Sequence, residues 1–288
     1  MHPYILALIF GIVEGLTEFL PVSSTAHLRI CQSLLGIALD DGYWKMFAIV
    51  IQLGAILTLP IYFRERIAKF VATFPNGERG DRTIVTHPLT LTAIAFVCTA
   101  APAFLLTKVI GKHLESLVIM GSALVIGGVV MWVIDAMYTR GALATHTNHV
   151  EEMSLAQAVW IGLCQTLSAV FPGTSRSMST IASGQLAGMS RPAALEFSFF
   201  LSIPTMVVAT FYDLFRSVRP HHGEAAAIGH LTMTSQNWIS LAIGFVISFV
   251  VAYGVVAWFM NWVRTRGFVP FAVYRIVVGL AVLWWAVK

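Results

Sequence analysis

Long apolar runs separated by short polar loops cover most of the chain. Six of them are long enough for a bilayer, which takes roughly 20 apolar residues as a helix. They are Tyr43–Phe63, Pro88–Ile110, Leu117–Tyr138, Ala193–Phe215 (which Pro204 is expected to kink), Trp238–Val263 and Phe268–Val287. Two further runs stop short. Pro3–Leu20 is cut by Pro21 and followed by Ala26–Leu35, and Ser154–Phe171 is cut by Pro172-Gly173 and followed by Ser175–Met189. Helix, break, helix predicts a re-entrant pair. Such backbone is tolerated at membrane depth only where it is buried in protein or lines a watery cavity.

The two broken stretches echo one another. GIVEGLTEFLPVSSTAH begins at Gly11, and GLCQTLSAVFPGTSRSMST begins at Gly162. At an offset of 151, Pro21 meets Pro172, Gly11 meets Gly162, Glu14 meets Gln165, Leu16 meets Leu167, Thr17 meets Ser168 and Ser24 meets Ser175. Phe47 and Phe197 continue the echo at an offset of 150. The chain therefore divides into repeats at 1–140 and 153–288, joined by the polar linker Arg140–Glu152 within one membrane domain. Each repeat has an odd number of spans, so the second enters the membrane from the opposite side. The expected fold is an all-α integral membrane protein of two inverted-topology repeats, each a re-entrant helix pair plus three transmembrane helices. In such folds the site lies near the midplane, where broken helices from both halves meet.

Composition agrees. The 288 residues are 57% hydrophobic and 11% charged, against about 25% charged in soluble domains. Net charge is +4, but the basic residues are too scattered for nucleic acid and serve better to orient loops. The richest basic loop, Arg64–Thr86 with Arg64, Arg66, Lys69, Arg79 and Arg82, is expected in the cytoplasm, as are Arg140 and the Arg264–Arg266 turn. Arg216 and Arg219 fall outside, as do both termini. Cys31, Cys98 and Cys164 have no metal-ligand spacing and read as small buried hydrophobes. No signal peptide is expected, since the first apolar run lacks a basic leader and already holds Glu14 and Glu18. Trp44, Trp238, Trp258, Trp262, Trp284 and Trp285 fall toward span ends, as interfacial anchors do.

Ionisable groups in membrane segments are expensive and point to function. Glu14 and Glu18 are four residues apart and share a helical face. Two carboxylates so close repel unless one is protonated or a cation lies near. A hard divalent ion suits oxygen ligands of this kind. The plain structural alternative is that they mark a helix end at the headgroups. His27 suits proton relay or nucleophilic attack, or simple packing. Ser23, Ser24 and Thr25 suit helix capping, and Ser24 is the chosen nucleophile candidate because its echo precedes Arg176. Pro172-Gly173-Thr174-Ser175-Arg176-Ser177 combines a glycine, hydroxyls and a helix start, which together make an anion site. Arginine adds a planar, permanently charged fork for phosphate oxygens, unless it serves as a salt bridge to Glu14 or Glu18. Glu196 is expected to pair with Arg275 or to cap its own helix. Gln52 and Asp135 have no assignment, and His146, His149, His221 and His222 read as solvated loop residues.

These residues resemble the bacterial undecaprenyl-pyrophosphate phosphatases, a family also linked to bacitracin resistance. Glu14–Thr25 with His27 looks like the first signature of that family, and Pro172–Ser177 with Thr180 like the second. Glu196–Phe199 and Phe271–Arg275 resemble further stretches, so the likeness runs over essentially the whole chain. Ala26 stands where the family usually has glycine, and Met178 where a small residue is common.

The resemblance implies hydrolysis of undecaprenyl pyrophosphate to the monophosphate, which recycles the lipid carrier for peptidoglycan. It implies a multi-pass protein of the bacterial inner membrane with its active site on the periplasmic side, and dependence on Mg2+ or Ca2+. Carried over, Glu14 and Glu18 are the acidic motif and metal ligands, with Glu18 the catalytic member, while Ser24 and His27 compete as nucleophile. Arg176 is catalytic and binds pyrophosphate with Gly173, Thr174, Ser175, Ser177 and Thr180, assisted by Ser23 and Thr25. The partners are the polyprenyl pyrophosphate lipid and the bilayer. Bacitracin competes indirectly by binding the substrate, nucleic acid is not a partner, and a homodimer is compatible. The rival function is a secondary transporter or flippase built on the same repeats, with Glu14 and Glu18 carrying ions.

Overall fold

The computed structural model describes residues 2–106, 116–218 and 233–287. Among them every regular element is helical, and one isolated bridge joins Thr147 to Met189. In chain order the α-helices are α1 (Pro3–Thr17), α2 (Ser24–Leu34), α3 (Gly42–Ile56), α4 (Thr58–Tyr62), α5 (Arg64–Ala72), α6 (Pro88–Leu105), α7 (Leu117–Thr139), α8 (Leu155–Val170), α9 (Arg176–Leu186), α10 (Arg191–Val218), α11 (Ser235–Thr265) and α12 (Val269–Val287).

Six helical stretches are long and apolar enough to cross a membrane: Gly42–Tyr62, Pro88–Leu105, Leu117–Thr139, Arg191–Phe215, Ser235–Thr265 and Val269–Ala286. They match the six expected from the apolar runs. The first is interrupted at Leu57, because Pro60 has no N–H for the Ile56 carbonyl. α10 runs through Pro204 unbroken. The polar stretch after Arg64 is not all loop, since α5 occupies its first third. The predicted end of the second span at Ile110, and Arg219, His221 and His222, lie outside the described residues.

The chain forms two compact units, and each draws on both halves of the sequence. The first comprises Met1–Phe19, Ser24–Tyr62 and Ser202–Ala257. Its core is Ala7, Phe10, Leu28, Phe47 and Ile51. Small residues let the backbones approach. A Cβ on Gly11 would lie 2.8 Å from the Gly244 carbonyl, and one on Gly15 2.8 Å from that of Ser248. The Ser248 hydroxyl donates to the Ile51 carbonyl at 2.7 Å, tying α11 to α3.

The second unit comprises Leu20–Ser23, Phe63–Leu201 and Trp258–Lys288. Here α7 lies along α12, with Gly121 and Gly279 so close that a Cβ on either would meet the other's carbonyl at 3.1 and 2.8 Å. Thr99 of α6 donates to the Gly162 carbonyl of α8 at 2.8 Å. Asp135, unassigned by sequence, is 1% exposed and accepts from Arg191 Nε at 2.7 Å and from the Phe268 N–H at 2.9 Å. It thus fastens α7 to the start of α10 and to the turn before α12.

Glu196 pairs with Arg66, not with Arg275, and it does not cap its own helix. Arg66 Nε donates to Glu196 Oε1 at 2.8 Å, and Nη1 and Nη2 donate to Glu151 at 2.5 and 3.1 Å. Burial pushes the Glu151 carboxyl up, but the hydrogen bonds and charge of Arg66 outweigh it and hold the group below its usual range. The three cysteines are free thiols, half-buried instead of fully buried.

Candidate active site

The acidic segment belongs to the first unit. α1 starts on Pro3, whose fixed φ suits the first helical position, and ends at Thr17, three residues before the apolar run does. Glu18 is its C-cap, with its N–H on the Glu14 carbonyl at 2.9 Å. Glu14 is fully buried and Glu18 is 6% exposed, so neither merely edges toward solvent. The Ser24 hydroxyl, first residue of α2, donates to Glu18 Oε2 at 2.5 Å. His27 is half-buried one turn further along α2. Ser23 is buried, and Thr25 is exposed.

Two buried carboxylates one helical turn apart, with a hydroxyl on one of them, are a hard-oxygen donor set, which fits Mg2+ or Ca2+. Among the described residues no cluster of three or more His, Cys, Asp or Glu occurs, so any such ion would draw its remaining ligands from substrate and water.

The arginine segment lies in the second unit. Ser175 caps α9, accepting from the Met178 N–H at 3.3 Å. The start of α9 is a helix N-terminus with the half-buried Arg176 at its first position. Arg176 Nη1 donates to the Ser198 carbonyl of α10 at 3.4 Å. Thr180 Oγ1, one turn on, lies 2.6 Å from Ser198 Oγ. Ser177 and Thr180 are each 1% exposed. Gly173 turns the chain at φ +96°, and a Cβ there would lie 2.6 Å from the Met120 carbonyl, so no other residue fits.

The residues of the first break, Leu20–Ser23, also belong to this second unit. Arg275 of α12, fully buried, donates to Pro21 O at 3.0 Å, Ala123 O at 3.1 Å, Gly173 O at 3.0 Å and Thr174 O at 2.9 Å. One guanidinium therefore holds both breaks. Arg275 was absent from the site expected by sequence. A lone arginine in a terminal apolar span was the available signal. Met178 packs with Arg275 against Gly127 of α7, where a Cβ would meet Met178 Cε at 2.8 Å.

The echo shifts by one position across the break. Before it, the offset of 151 holds: Glu14 and Gln165 are both buried, while Leu16 and Leu167 are both exposed. After it, the matching features are 152 apart. Among the described residues, Ser23 and Ser175 are the two non-glycine positions at positive φ, 74° and 70°. Gly36 and Gly188 follow at 69° and 83°. α2 and α9 are each 11 residues long. Ser24 thus corresponds to Arg176, and Ser23 to Ser175. Residue type alone pairs serine with serine, at an offset of 151. Backbone conformation decides otherwise, and the case for Ser24 now stands on its contact with Glu18.

Six helices long and apolar enough to cross a membrane, among the described residues, make this a polytopic membrane protein. The family model described as bacitracin resistance protein BacA matches residues 7–281, and the chain belongs to that family. It is 70% identical to the undecaprenyl-diphosphatase of Koribacter versatilis (strain Ellin345) over the full length of both chains. It is 42% identical to that of Aromatoleum aromaticum (97% of this chain, 93% of the relative) and 39% to that of Caldanaerobacter subterraneus subsp. tengcongensis (98% and 96%).

Proposed function

We propose that this protein hydrolyses undecaprenyl pyrophosphate to undecaprenyl phosphate and inorganic phosphate. The observation that carries this is full-length identity of 70% to an undecaprenyl-diphosphatase, with the Ser24–Glu18 hydrogen bond supplying the chemistry. Recycling the lipid carrier in this way opposes bacitracin, which sequesters the substrate.

Arg176 and the N-terminus of α9 hold the pyrophosphate, assisted by Ser177 and Thr180. Ser24 Oγ attacks the terminal phosphorus and its proton passes to Glu18, the acceptor already in contact. The bridging P–O bond breaks and its electron pair leaves with the lipid monophosphate. Water then attacks this phosphorus, its proton taken by His27, the Ser24–phosphorus bond breaks, and Glu18 returns the proton to Ser24 Oγ as phosphate leaves. Glu14 and Glu18 would hold a divalent cation, which would supply neutralisation of phosphate charge. The strain of Ser23 and Ser175, roughly 1–3 kcal/mol each, is repaid by the surrounding contacts and presents both helix starts.

The repeats 1–140 and 153–288 are inverted in the membrane, because each carries three spans; the repeat itself is supported by the paired positive-φ serines and the equal helices that follow them. The α5 side faces the cytoplasm, and the reaction takes place toward the periplasmic face of the inner membrane.

The test is release of inorganic phosphate from a polyprenyl pyrophosphate by purified protein in detergent, with Mg2+, with Ca2+ and with a chelator. Cation-dependent release lost in Arg176→Ala is expected. A folded wild-type protein that releases nothing over several substrates and cations would overturn the proposal and favour transport, to be sought in liposomes.

A further inference from the structure

Ser198 lies in α10, far in sequence from both signature segments, and is fully buried. It touches two residues of the anion site in different ways. Its hydroxyl shares a 2.6 Å hydrogen bond with Thr180 Oγ1, and its carbonyl accepts from Arg176 Nη1 at 3.4 Å. A carbonyl has two lone pairs, so it can serve an arginine as well as its own helix. Thr180 Oγ1 also lies 3.0 Å from the Arg176 carbonyl and 3.2 Å from that of Ser177. A hydroxyl has one proton to give. Either hydroxyl can donate across the shared bond; because Thr180 gives its one proton to a carbonyl of its own helix, the bond is satisfied with Ser198 donating, which fixes the Thr180 rotamer.

α10 is itself held in place at Glu196, two residues before Ser198, by the Arg66 ion pair at 2.8 Å. The start of α10 is fastened by Arg191 to Asp135. Ser198 therefore sits on a rigid stretch, which is the condition for aligning a binding group within a fraction of an ångström.

We propose that Ser198 is a positioning residue for pyrophosphate, acting through its hydroxyl on Thr180 and through its carbonyl on Arg176. This rests on the anion-binding role given above to the α9 N-terminus. Replacement by alanine removes only the first action, since the carbonyl stays. Its effect is then smaller than that of Arg176→Ala, and the part that runs through Thr180 is read by a cycle with Thr180→Ala.

The experiment is a double-mutant cycle with Ser198→Ala, Thr180→Ala and the pair, plus Thr180→Ser, which keeps the hydroxyl. Affinity for a polyprenyl pyrophosphate is read by tryptophan fluorescence in detergent, alongside turnover and the melting temperature. Ser198→Ala is expected to weaken binding about five- to tenfold, the loss of one buried hydrogen bond. KM rises accordingly, kcat changes less than twofold, and the melting temperature falls by only a few degrees, as loss of one buried hydrogen bond within the protein requires. The pair binds no worse than Thr180→Ala alone, and Thr180→Ser binds like wild type. Unchanged binding in Ser198→Ala, or effects that multiply in the pair, would overturn the proposal. A wild type that binds the lipid without releasing phosphate defeats the phosphatase function and leaves this cycle decisive by binding; one that does not bind it defeats both.

Discussion

Arg275 and Pro21 are joined by a 3.0 Å hydrogen bond across 254 positions of sequence. The same guanidinium holds the Gly173 and Thr174 carbonyls at 3.0 and 2.9 Å. A break in a helix leaves carbonyls that need donors when they are buried away from water. A buried arginine with several donors answers that need for both breaks at once, with carbonyls taking the place of an acidic partner.

Replacing Arg275 by methionine keeps the side-chain bulk and strands those acceptors. Each unsatisfied buried acceptor costs about 1–3 kcal/mol. Arg275→Met is therefore expected to unfold many degrees below wild type in detergent and to lose phosphate release, with Arg275→Lys intermediate. Thermal unfolding followed by circular dichroism checks it.

Gly173→Ala should be nearly as damaging through a different cause. The residue sits at φ +96° and its added Cβ would meet the Met120 backbone at 2.6 Å. Strain of this kind costs about 1–3 kcal/mol before any clash. Phosphate release at least tenfold below wild type is expected, with partial recovery at lower temperature.

The Ser24–Glu18 contact separates the two nucleophile candidates. If Ser24 attacks, Ser24→Ala and Glu18→Gln each lower turnover by at least about 100-fold, in the range that loss of a positioned acid or base produces. His27→Ala then retains measurable release, and a phosphoenzyme trapped by rapid acid quench carries its label on serine.

His87 gives a pH dependence outside the spans. Its Nδ1 accepts from the Leu89 N–H at 3.2 Å and caps α6, while burial pushes the imidazole below its usual value of 6.5. The folded form therefore binds this proton less readily than the unfolded chain. Its contribution to stability is complete above about pH 6.5 and is lost as the pH falls through the lower folded value. Glu151, held low by Arg66, adds an acid-side loss below its ordinary 4.5. Melting temperature should fall between pH 7.5 and 5.5, and fall less in His87→Asn, which keeps a capping side chain.

Much of this protein was legible in the chain itself. The six spans, the two interruptions and the acidic and arginine segments all follow from local rules, since apolar length, proline and glycine act on their own neighbourhood. That a helix would start beside Ser24 and beside Arg176 was also local, because the capping residues lie there. Three things were decided only by tertiary structure. Glu196 took Arg66 as its partner, a choice between distant cations that no local pattern distinguishes. Arg275 turned to the carbonyls of both breaks because they were buried and unsatisfied, a need that exists only once the chain is folded. And the echo moved from 151 to 152 across the break, since residue type matched serine to serine while the positive φ of Ser23 and Ser175 matched backbone to backbone. Long-range pairing and backbone conformation are properties of the packed chain, and there the sequence by itself runs out.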